Sequence, residues 1–322
     1  MSDALMPTSS MPALESGRSR LCGAEVVSSV ILQFRTNFLL NELDERSVPP
    51  TVDIDPRLLI PGFAPRRRED TVEMVHQARV SVRRMRSTIR IFAALLDDQW
   101  AEKMSNDLSW YGDVLGRVRD LTVMRERILD GELPIRSLVV RDALATTLDA
   151  ELTSALAAQD DARHSMAYFE LIGDLLNLEE RISFTPLGYG SARRVLPPQL
   201  DDPWRELSDA VRVAEHAKTA KNLHAVRIRA KRIQHGCEAV ALVLGKPVHR
   251  SARAAESLQR RLGTVHDASV CQEWLSELVE RRPDVGAHLE QLSKFEQVEA
   301  RLARRGWKKD VAKLEDRWRR WH

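Results

Sequence analysis

Apolar residues recur along most of the chain at steps of three and four, the spacing that puts side chains on one face of an α-helix. One apolar seam consists of Val75, Val82, Met85, Ile89, Phe92 and Leu96. A second seam consists of Leu223, Val226, Ala230, Ile233, Cys237, Val240 and Leu244. No convincing run of alternating β-branched residues occurs, so the pattern predicts an all-α fold.

The periodic segments predict helices in two groups separated by an irregular stretch. In the first group the helices lie near residues 22–46, 69–97, 100–116, 120–130, 136–161 and 163–182. In the second group they lie near residues 204–220, 222–245, 250–263, 267–282, 284–304 and 307–321. We therefore predict a disordered leader over 1–20, a first helical half over 21–182, a connector rich in Gly and Pro over 183–203, and a second half over 204–322.

Composition narrows the class of protein. The chain has 322 residues, of which 43% are hydrophobic and only 5% aromatic. Its three cysteines, Cys22, Cys237 and Cys271, fit neither a disulfide framework nor a CxxC zinc pattern. No apolar run is long enough for a transmembrane helix, and the N-terminus lacks the pattern of a signal peptide. A cytoplasmic protein without membrane contact is the default expectation.

A basic face runs beside the first apolar seam. His76, Arg79, Arg83, Arg86 and Arg90 follow one another at steps of three and four, and no acid lies between Arg79 and Arg90. Like charges at this spacing destabilise a helix by roughly 0.2–0.5 kcal/mol per pair. A solvated helix face usually mixes charges of both signs, so this face predicts an anionic partner.

The formal net charge of +2 hides a strong segregation of charge. Residues 142–180 carry nine acids and a single base, Arg163. Residues 218–235 carry six bases and no acid. A strong local field can therefore coexist with a small total charge.

The basic face recurs in the second half of the chain. His224, Arg227, Lys231 and Arg232 align with His76, Arg79, Arg83 and Arg84 at an offset of 148 residues. Repetition of a segment at a fixed offset indicates an internal repeat. We therefore predict two helical bundles that are related by a pseudo-twofold.

A second match follows each basic helix. Leu115, Gly116 and Asp120 align with Leu262, Gly263 and Asp267 at an offset of 147 residues. A Gly after a helical run predicts a helix end, and an Asp shortly afterwards predicts the N-cap of the next helix.

The two copies together resemble the CHAD family, the conserved-histidine α-helical domain. The resemblance rests on H-x-x-R-V-x-x-x-R-R-x-R with L-G-x-x-R-D, and on L-H-x-x-R-x-x-x-K-R with L-G-x-x-H-D. It spans roughly residues 20–321 and implies two helical bundles of the four-helix type, with extra helices, and a basic channel between them that binds inorganic polyphosphate. It also implies association with polyphosphate granules and their proteins. Gln234 and His235 depart from the family pattern, which predicts fewer phosphate contacts in the second half.

The resemblance assigns a polyphosphate-binding set to positions of this sequence. The set is His76, Arg79, Arg83, Arg84 and Arg86 with His224, Arg227, Lys231 and Arg232. We add Arg90, the last cation of the first basic face. Arginine suits such a ligand because its planar fork stays charged and makes bidentate contacts with phosphate. The two histidines are either hydrogen-bonding residues at the edge of the core or phosphate donors. Arg301, Arg305 and Lys308 share a helix face and either extend the track or form a solvated tail.

The sequence gives little support for an enzymatic function, and we expect no catalytic residue, metal or cofactor. Glu73 and His76 have the Glu-x-x-His spacing of carboxylate-bridged metal bundles, but Lys221 replaces the Glu in the repeat. His266 and Asp267 suggest a metal phosphohydrolase, but the first copy has Arg119 in place of the His. Phosphate-binding loops and nucleophile elbows are absent from the sequence.

Two rival functions remain open. Nucleic-acid binding also depends on phosphate contacts, although the sequence has no helix-turn-helix or zinc-finger pattern and few aromatic residues near the basic stripes. A scaffold that docks on an acidic protein is the other alternative. Competition between polyphosphate and DNA at matched phosphate concentration would distinguish these functions from polyphosphate binding.

Overall fold

The computed structural model describes residues 21–43, 48, 54–130, 135 and 137–322, and within them the protein is all-α. The long helices are α1 (Gly23–Glu42), α2 (Thr71–Ile91), α3 (Asp98–Arg125), α4 (Leu138–Arg163) and α5 (Met166–Leu176). Two short helices, α6 (Leu178–Arg181) and α7 (Ala192–Val195), precede the second group. That group is α8 (Asp201–His216), α9 (Ala220–Leu244), α10 (Lys246–Arg281), α11 (Gly286–Ala303) and α12 (Trp307–Trp318). The predicted fold class is confirmed, whereas the pseudo-twofold stays a prediction.

The apolar seams explain how the helices pack. Val82, Met85 and Ile89 on α2 are each at most 1% exposed, and α2 packs against α1 and α3. Ala230 and Ile233 on α9 are fully buried, and α9 packs against α8 and α10. Burial of one face of each helix leaves the neighbouring face free for polar side chains.

One main hydrophobic core contains residues from both halves of the chain. It extends from α1 to α12, and α2 and α9 contact each other within it. A smaller apolar cluster joins the end of α3 and α4 to α10 and α11, with Leu144 and Leu275 fully buried. The predicted domain boundaries stay predictions, and the predicted leader lies outside the described residues.

The prediction of helix ends at Gly116 and Gly263 is wrong. Helix α3 continues through Gly116, and α10 continues through Gly263. Asp120 and Asp267 therefore lie inside helices and cap nothing. The N-cap of α3 is Asp97, whose Oδ1 accepts from the backbone N–H of Trp100 at 2.9 Å. Glycine costs a helix roughly 1 kcal/mol, which tertiary contacts can offset.

The predicted connector is irregular but contains short helical turns. These turns cover Pro186–Tyr189, α7 and Pro197–Leu200. The connector packs against α1, where the backbone N–H of Gly23 donates to the carbonyl oxygen of Gly190 at 3.0 Å. Among the described residues, no helix has an apolar stretch long enough to cross a membrane.

Candidate functional site: a cleft between two basic helices

The two basic helices face a common cleft, which we call the central cleft. It comprises two adjoining cavities of about 430 and 420 Å³. Both cavities are lined by Arg79, Arg83, Arg227, Lys231 and His266. Helices α2 and α9 form its walls, and residues of α3, of the turn that follows α3, of α8 and of α10 complete the lining. Cations that are about 150 positions apart in the sequence therefore share one space.

Each cavity has its own further lining residues. The first adds the polar residues His76, Arg119, Asp120, Arg127, Gln259 and Asp267. The second adds the polar residues Arg86, Ser87, Arg90, Glu206, His224, Arg229, Arg232 and His235. The cations outnumber the acids, so the cleft presents a basic surface.

The arginine that begins each motif lies against a glycine. Arg79 Nη1 donates to the carbonyl oxygen of Gly116 at 2.8 Å and to Oδ1 of Asp120 at 2.7 Å. A Cβ atom at Gly263 would lie 3.6 Å from Nε of Arg227. The repeated glycines thus give the long arginine side chains room beside α3 and α10.

Several cleft cations have no acid partner among the described residues. Arg83, Arg86, Arg227 and Lys231 form no salt bridge there, and buried Nε atoms of Arg83, Arg86 and Arg227 have no hydrogen-bond acceptor. Buried donors without a partner are costly, by about 1–3 kcal/mol each. An anionic ligand would supply the missing acceptors.

Burial and mutual repulsion lower the pKa values of basic side chains in the cleft. Burial, with Arg83 and Arg227 nearby, lowers the pKa of the Lys231 ammonium to about 6. Burial, with Arg79 and Arg84 nearby, lowers the pKa of Arg83 to about 10. Burial and repulsion therefore favour the uncharged form of Lys231 at neutral pH.

Histidine side chains form a pair within the cleft. The rings of His224 and His266 lie 4.0 Å apart between centroids and are tilted by 41°. Burial lowers the pKa of both rings, and that of His266 falls to about 4 with His224 and Arg227 also contributing. Nδ1 of His224 is buried without a partner. Burial and Arg119 likewise lower the pKa of His76.

Of the predicted binding set, the structure places nine residues in the cleft. They are His76, Arg79, Arg83, Arg86, Arg90, His224, Arg227, Lys231 and Arg232. Arg232 is paired with Glu206 at 3.0 Å. Both readings of the two histidines are compatible with their half-buried positions.

Arg84 points away from the described cleft lining. It forms an ion pair with Glu238 on α9, and its guanidinium carbon lies 5.5 Å from the ring centroid of Phe34. Gln234 Nε2 also donates to Glu238, at 2.8 Å. Gln234, which departs from the family pattern, thus takes part in the contact between α2 and α9. His235, the other departure from that pattern, is buried beside it.

The structure does not bring the C-terminal members of the predicted set to the cleft. Arg301, Arg305 and Lys308 line neither cavity. Lys308 Nζ lies 2.9 Å from Oε1 of Glu215, and the carbonyl oxygen of Arg305 accepts from Arg261 at 2.9 Å. These three basic residues thus do not extend the row of cations that lines the cleft.

The cleft also contains polar residues that motif reading did not assign to it. They are Asp120 and Asp267, their neighbours Arg119 and His266, and Arg127 and Arg229. The sequence contained a signal for the two aspartates, because each Asp follows the Gly of its motif by four positions and therefore lies on the same helix face. Arg127 is held by Glu296 at 2.6 Å. Among the described residues, no group of three or more His, Cys, Asp or Glu has the arrangement of a metal site.

Comparisons with known proteins identify a family and relatives that this chain resembles. A model of the CHAD domain matches residues 63–276. The uncharacterized protein Rv2226 of Mycobacterium tuberculosis (strain ATCC 25618 / H37Rv) is 27% identical over 223 residues, which are 65% of this chain and 41% of the relative. The chain thus spans less than half the length of that relative.

Two solved structures share the fold. PptA from Streptomyces chartreusis has a TM-score of 0.68 at 19% identity, covering 90% of this chain and 99% of its own. The crystal structure of the CHAD domain from the plant Ricinus communis has a TM-score of 0.62 at 20% identity, covering 94% and 95% respectively.

Proposed function

The chain belongs to the CHAD domain family, and from that membership we propose that its central cleft binds inorganic polyphosphate. The observation that carries the proposal is the placement of Arg83 and Lys231. They come from different basic helices, line the same cavities and form no salt bridge among the described residues. Arg83 carries a charge, and burial together with that charge lowers the pKa of the neighbouring Lys231. An extended polyanion supplies the missing negative charge and so favours the charged form of both side chains.

The chemistry of the lining favours phosphate over bases. Guanidinium groups donate in a planar fork that fits phosphate oxygens, and the unpartnered donors of Arg83, Arg86 and Arg227 are available for them. Binding of single-stranded nucleic acid usually adds aromatic side chains on which bases stack. Within the described lining, neither cavity has a Phe, Tyr or Trp.

We propose a binding role without catalysis. The cleft contains one thiol, Cys271, and burial together with Glu296 raises its pKa to about 12. A thiol with so high a pKa is almost wholly protonated at neutral pH, whereas the thiolate is the nucleophile. The remaining groups of the cleft can hold phosphates by charge and hydrogen bonds.

Association with polyphosphate granules follows from the same proposal. A protein that binds a repeating polymer accumulates where the polymer is concentrated, because each chain offers many equivalent sites. We expect a fluorescent fusion of the parent protein to mark polyphosphate granules, and a fusion with a disrupted cleft to remain diffuse.

The direct test is binding to immobilised long-chain polyphosphate over a range of salt concentrations. By analogy with nucleic acids, each phosphate contact contributes roughly −0.7 to −0.9 to the slope of log affinity against log salt, so six contacts give about −4. Duplex DNA at matched phosphate concentration serves as competitor. A flat salt response, or equal competition by DNA, would contradict the proposal.

A further inference from the structure

A second basic groove lies between α10 and α12, outside the central cleft. The two helices are antiparallel, because Trp321 Nε1, just after α12, donates to Ser251 Oγ at 2.9 Å, whereas Asp310 near the start of α12 pairs with Arg261. Trp318 on α12 also stacks on Trp204 with ring centroids 4.2 Å apart. The groove therefore has fixed walls.

Four cations line this groove. They are Arg250 and Arg253 from α10, and Lys313 and Arg317 from α12. The cavity measures about 270 Å³, and the small residues Ala254 and Ser257 complete its lining. No acid belongs to this lining among the described residues, and none of the four cations forms a salt bridge there.

Two acids close to the groove in sequence pair with arginines outside it. Glu256 holds Arg260 at 2.9 Å, and Asp316 holds Arg320 at 2.8 Å. The like charges within the groove lie at i,i+3 on α10 and at i,i+4 on α12, a spacing at which they repel each other and destabilise each helix. Helices α10 and α12 thus both present cations without acid partners among the described residues to the groove, as α2 and α9 do in the central cleft.

We propose that this groove is a second binding site for a linear oligophosphate, independent of the central cleft. The ligand needs several negative charges along a line and no large apolar body, because the described lining offers three guanidinium groups, one ammonium and one hydroxyl. Arginine forks bind phosphate oxygens bidentately, and the Ser257 hydroxyl adds a neutral donor. One protein molecule then holds two phosphate chains, or two segments of one chain.

The groove is far enough from the cleft to act separately. The two linings approach each other on α10 at the uncharged residues Ser257 and Gln259. Their nearest ionisable residues on that helix, Arg253 and His266, are thirteen positions apart. At a rise of about 1.5 Å per residue this is roughly 20 Å. Charges are screened over roughly 8–10 Å at physiological ionic strength. The inference goes beyond the proposed function, and it does not require the cleft to bind.

The test uses calorimetric titration with tripolyphosphate on the full chain. The groove variant is Arg253→Glu/Lys313→Glu, and the cleft variant is Arg83→Glu/Lys231→Glu. We expect two equivalents bound by the parent, one by each variant and none by the combined variant. The control, Arg57→Glu/Arg212→Glu, changes the same charge at two arginines that are each 71% exposed on their side chains and line neither site.

The two proposals fail in distinguishable ways. If the groove variant binds with the stoichiometry and affinity of the parent, the second site does not exist. If the cleft variant keeps both equivalents, the proposed function fails while the groove is unaffected. Should the groove variant unfold, the milder Arg250→Gln/Arg317→Gln replaces it, with circular dichroism as the check on folding.

A polymer experiment tests the consequence of two sites. Long-chain polyphosphate should cross-link the parent protein into particles that scatter light, and the groove variant should remain dispersed at the same protein concentration. Equal scattering from both would overturn the inference. A single-stranded oligonucleotide with matched phosphate number should bind the groove at least about tenfold more weakly, and equal binding would assign the groove to nucleic acid instead.

Discussion

The guanidinium group of Arg79 lies against Gly116 and donates to the carbonyl oxygen of that glycine at 2.8 Å. A Cβ atom at Gly116 would lie 3.5 Å from Cζ of Arg79, which is ordinary van der Waals contact. The glycine therefore does not end a helix but leaves space beside α3 for a cleft side chain. Larger side chains at this position would compete with Arg79 for that space.

We expect Gly116→Ala to raise the free energy of unfolding by about 0.5–1 kcal/mol, because Ala favours the helix and its methyl group fits. Gly116→Leu should instead lower it by about 1–3 kcal/mol and weaken polyphosphate binding, because the longer side chain displaces Arg79. Urea denaturation measures both variants. Equal stability of the two would show that Arg79 does not occupy this space.

Charge reversal of the two matched cleft cations should abolish most binding. We expect Arg83→Glu/Lys231→Glu to lower the affinity of the cleft for polyphosphate at least about tenfold, which is roughly 1.4 kcal/mol. The variant should melt no lower than the parent, because it relieves repulsion among neighbouring arginines. Calorimetry and thermal melting check the two expectations.

The control for this variant is Arg57→Glu/Arg212→Glu, which should bind as the parent does. Undiminished binding by the cleft variant would remove the central cleft as the site. A cleft variant that unfolds would show that the two basic side chains serve mainly to hold the helices in place.

The stability of the protein without ligand should rise with pH. Lys231 has a pKa of about 6 in the folded protein and 10.5 as an ordinary side chain, so the unfolded chain binds more protons between these values. The free energy of unfolding therefore increases as the pH rises from about 6 to about 10. Melting temperatures across this range should show the rise, and Lys231→Met should flatten it. The control Lys103→Met, which alters an exposed ion pair with Asp107, should leave the rise in melting temperature in place. A melting temperature of the parent protein that falls with pH would contradict the lowered pKa of Lys231.

Polyphosphate binding near pH 8 should take up protons. An anion in the cleft favours the charged form of Lys231, whose pKa burial and nearby Arg83 hold at about 6 in the free protein. Calorimetry in two buffers with different ionisation enthalpies measures the number of protons. We expect uptake by the parent and less uptake by Lys231→Met. Identical proton uptake by both proteins would show that Lys231 does not titrate on binding.

Arg163 contributes to stability rather than to binding. Its Nε donates to Oε1 of Glu42 at 2.8 Å, and the Glu42 side chain is only 1% exposed. Arg163→Met would leave this carboxylate buried without its cation, and we expect a loss of about 3 kcal/mol in the free energy of unfolding. Urea denaturation checks this value, with Arg181→Met at an exposed pair as the comparison. A loss below about 0.5 kcal/mol would contradict it.

Helix periodicity could predict the fold class and the position of most helices, because it is a local property of the sequence. The repeat could also predict that Arg83 and Lys231 belong together. Sequence could not separate Arg83 from Arg84, since the acid that pairs with Arg84 lies 154 positions away. Arg163 is the single base in an acidic segment and looks exposed, yet its partner lies 121 positions earlier. Long-range ion pairs of this kind leave no periodic signal.

The ion pair between Arg84 and Glu238 has a mechanical consequence for the cleft. It joins α2 directly to α9, while the cations on the open faces of the same helices push the two walls apart. The apolar contact between α2 and α9 and this ion pair hold the walls together against the repulsion among the cations, so we expect the width of the cleft to depend on ionic strength. We expect a polyanion in the cleft to replace this repulsion by attraction and to bring the two walls closer together. Compaction on binding, measured as a decrease in radius of gyration, is the physical signature of this arrangement.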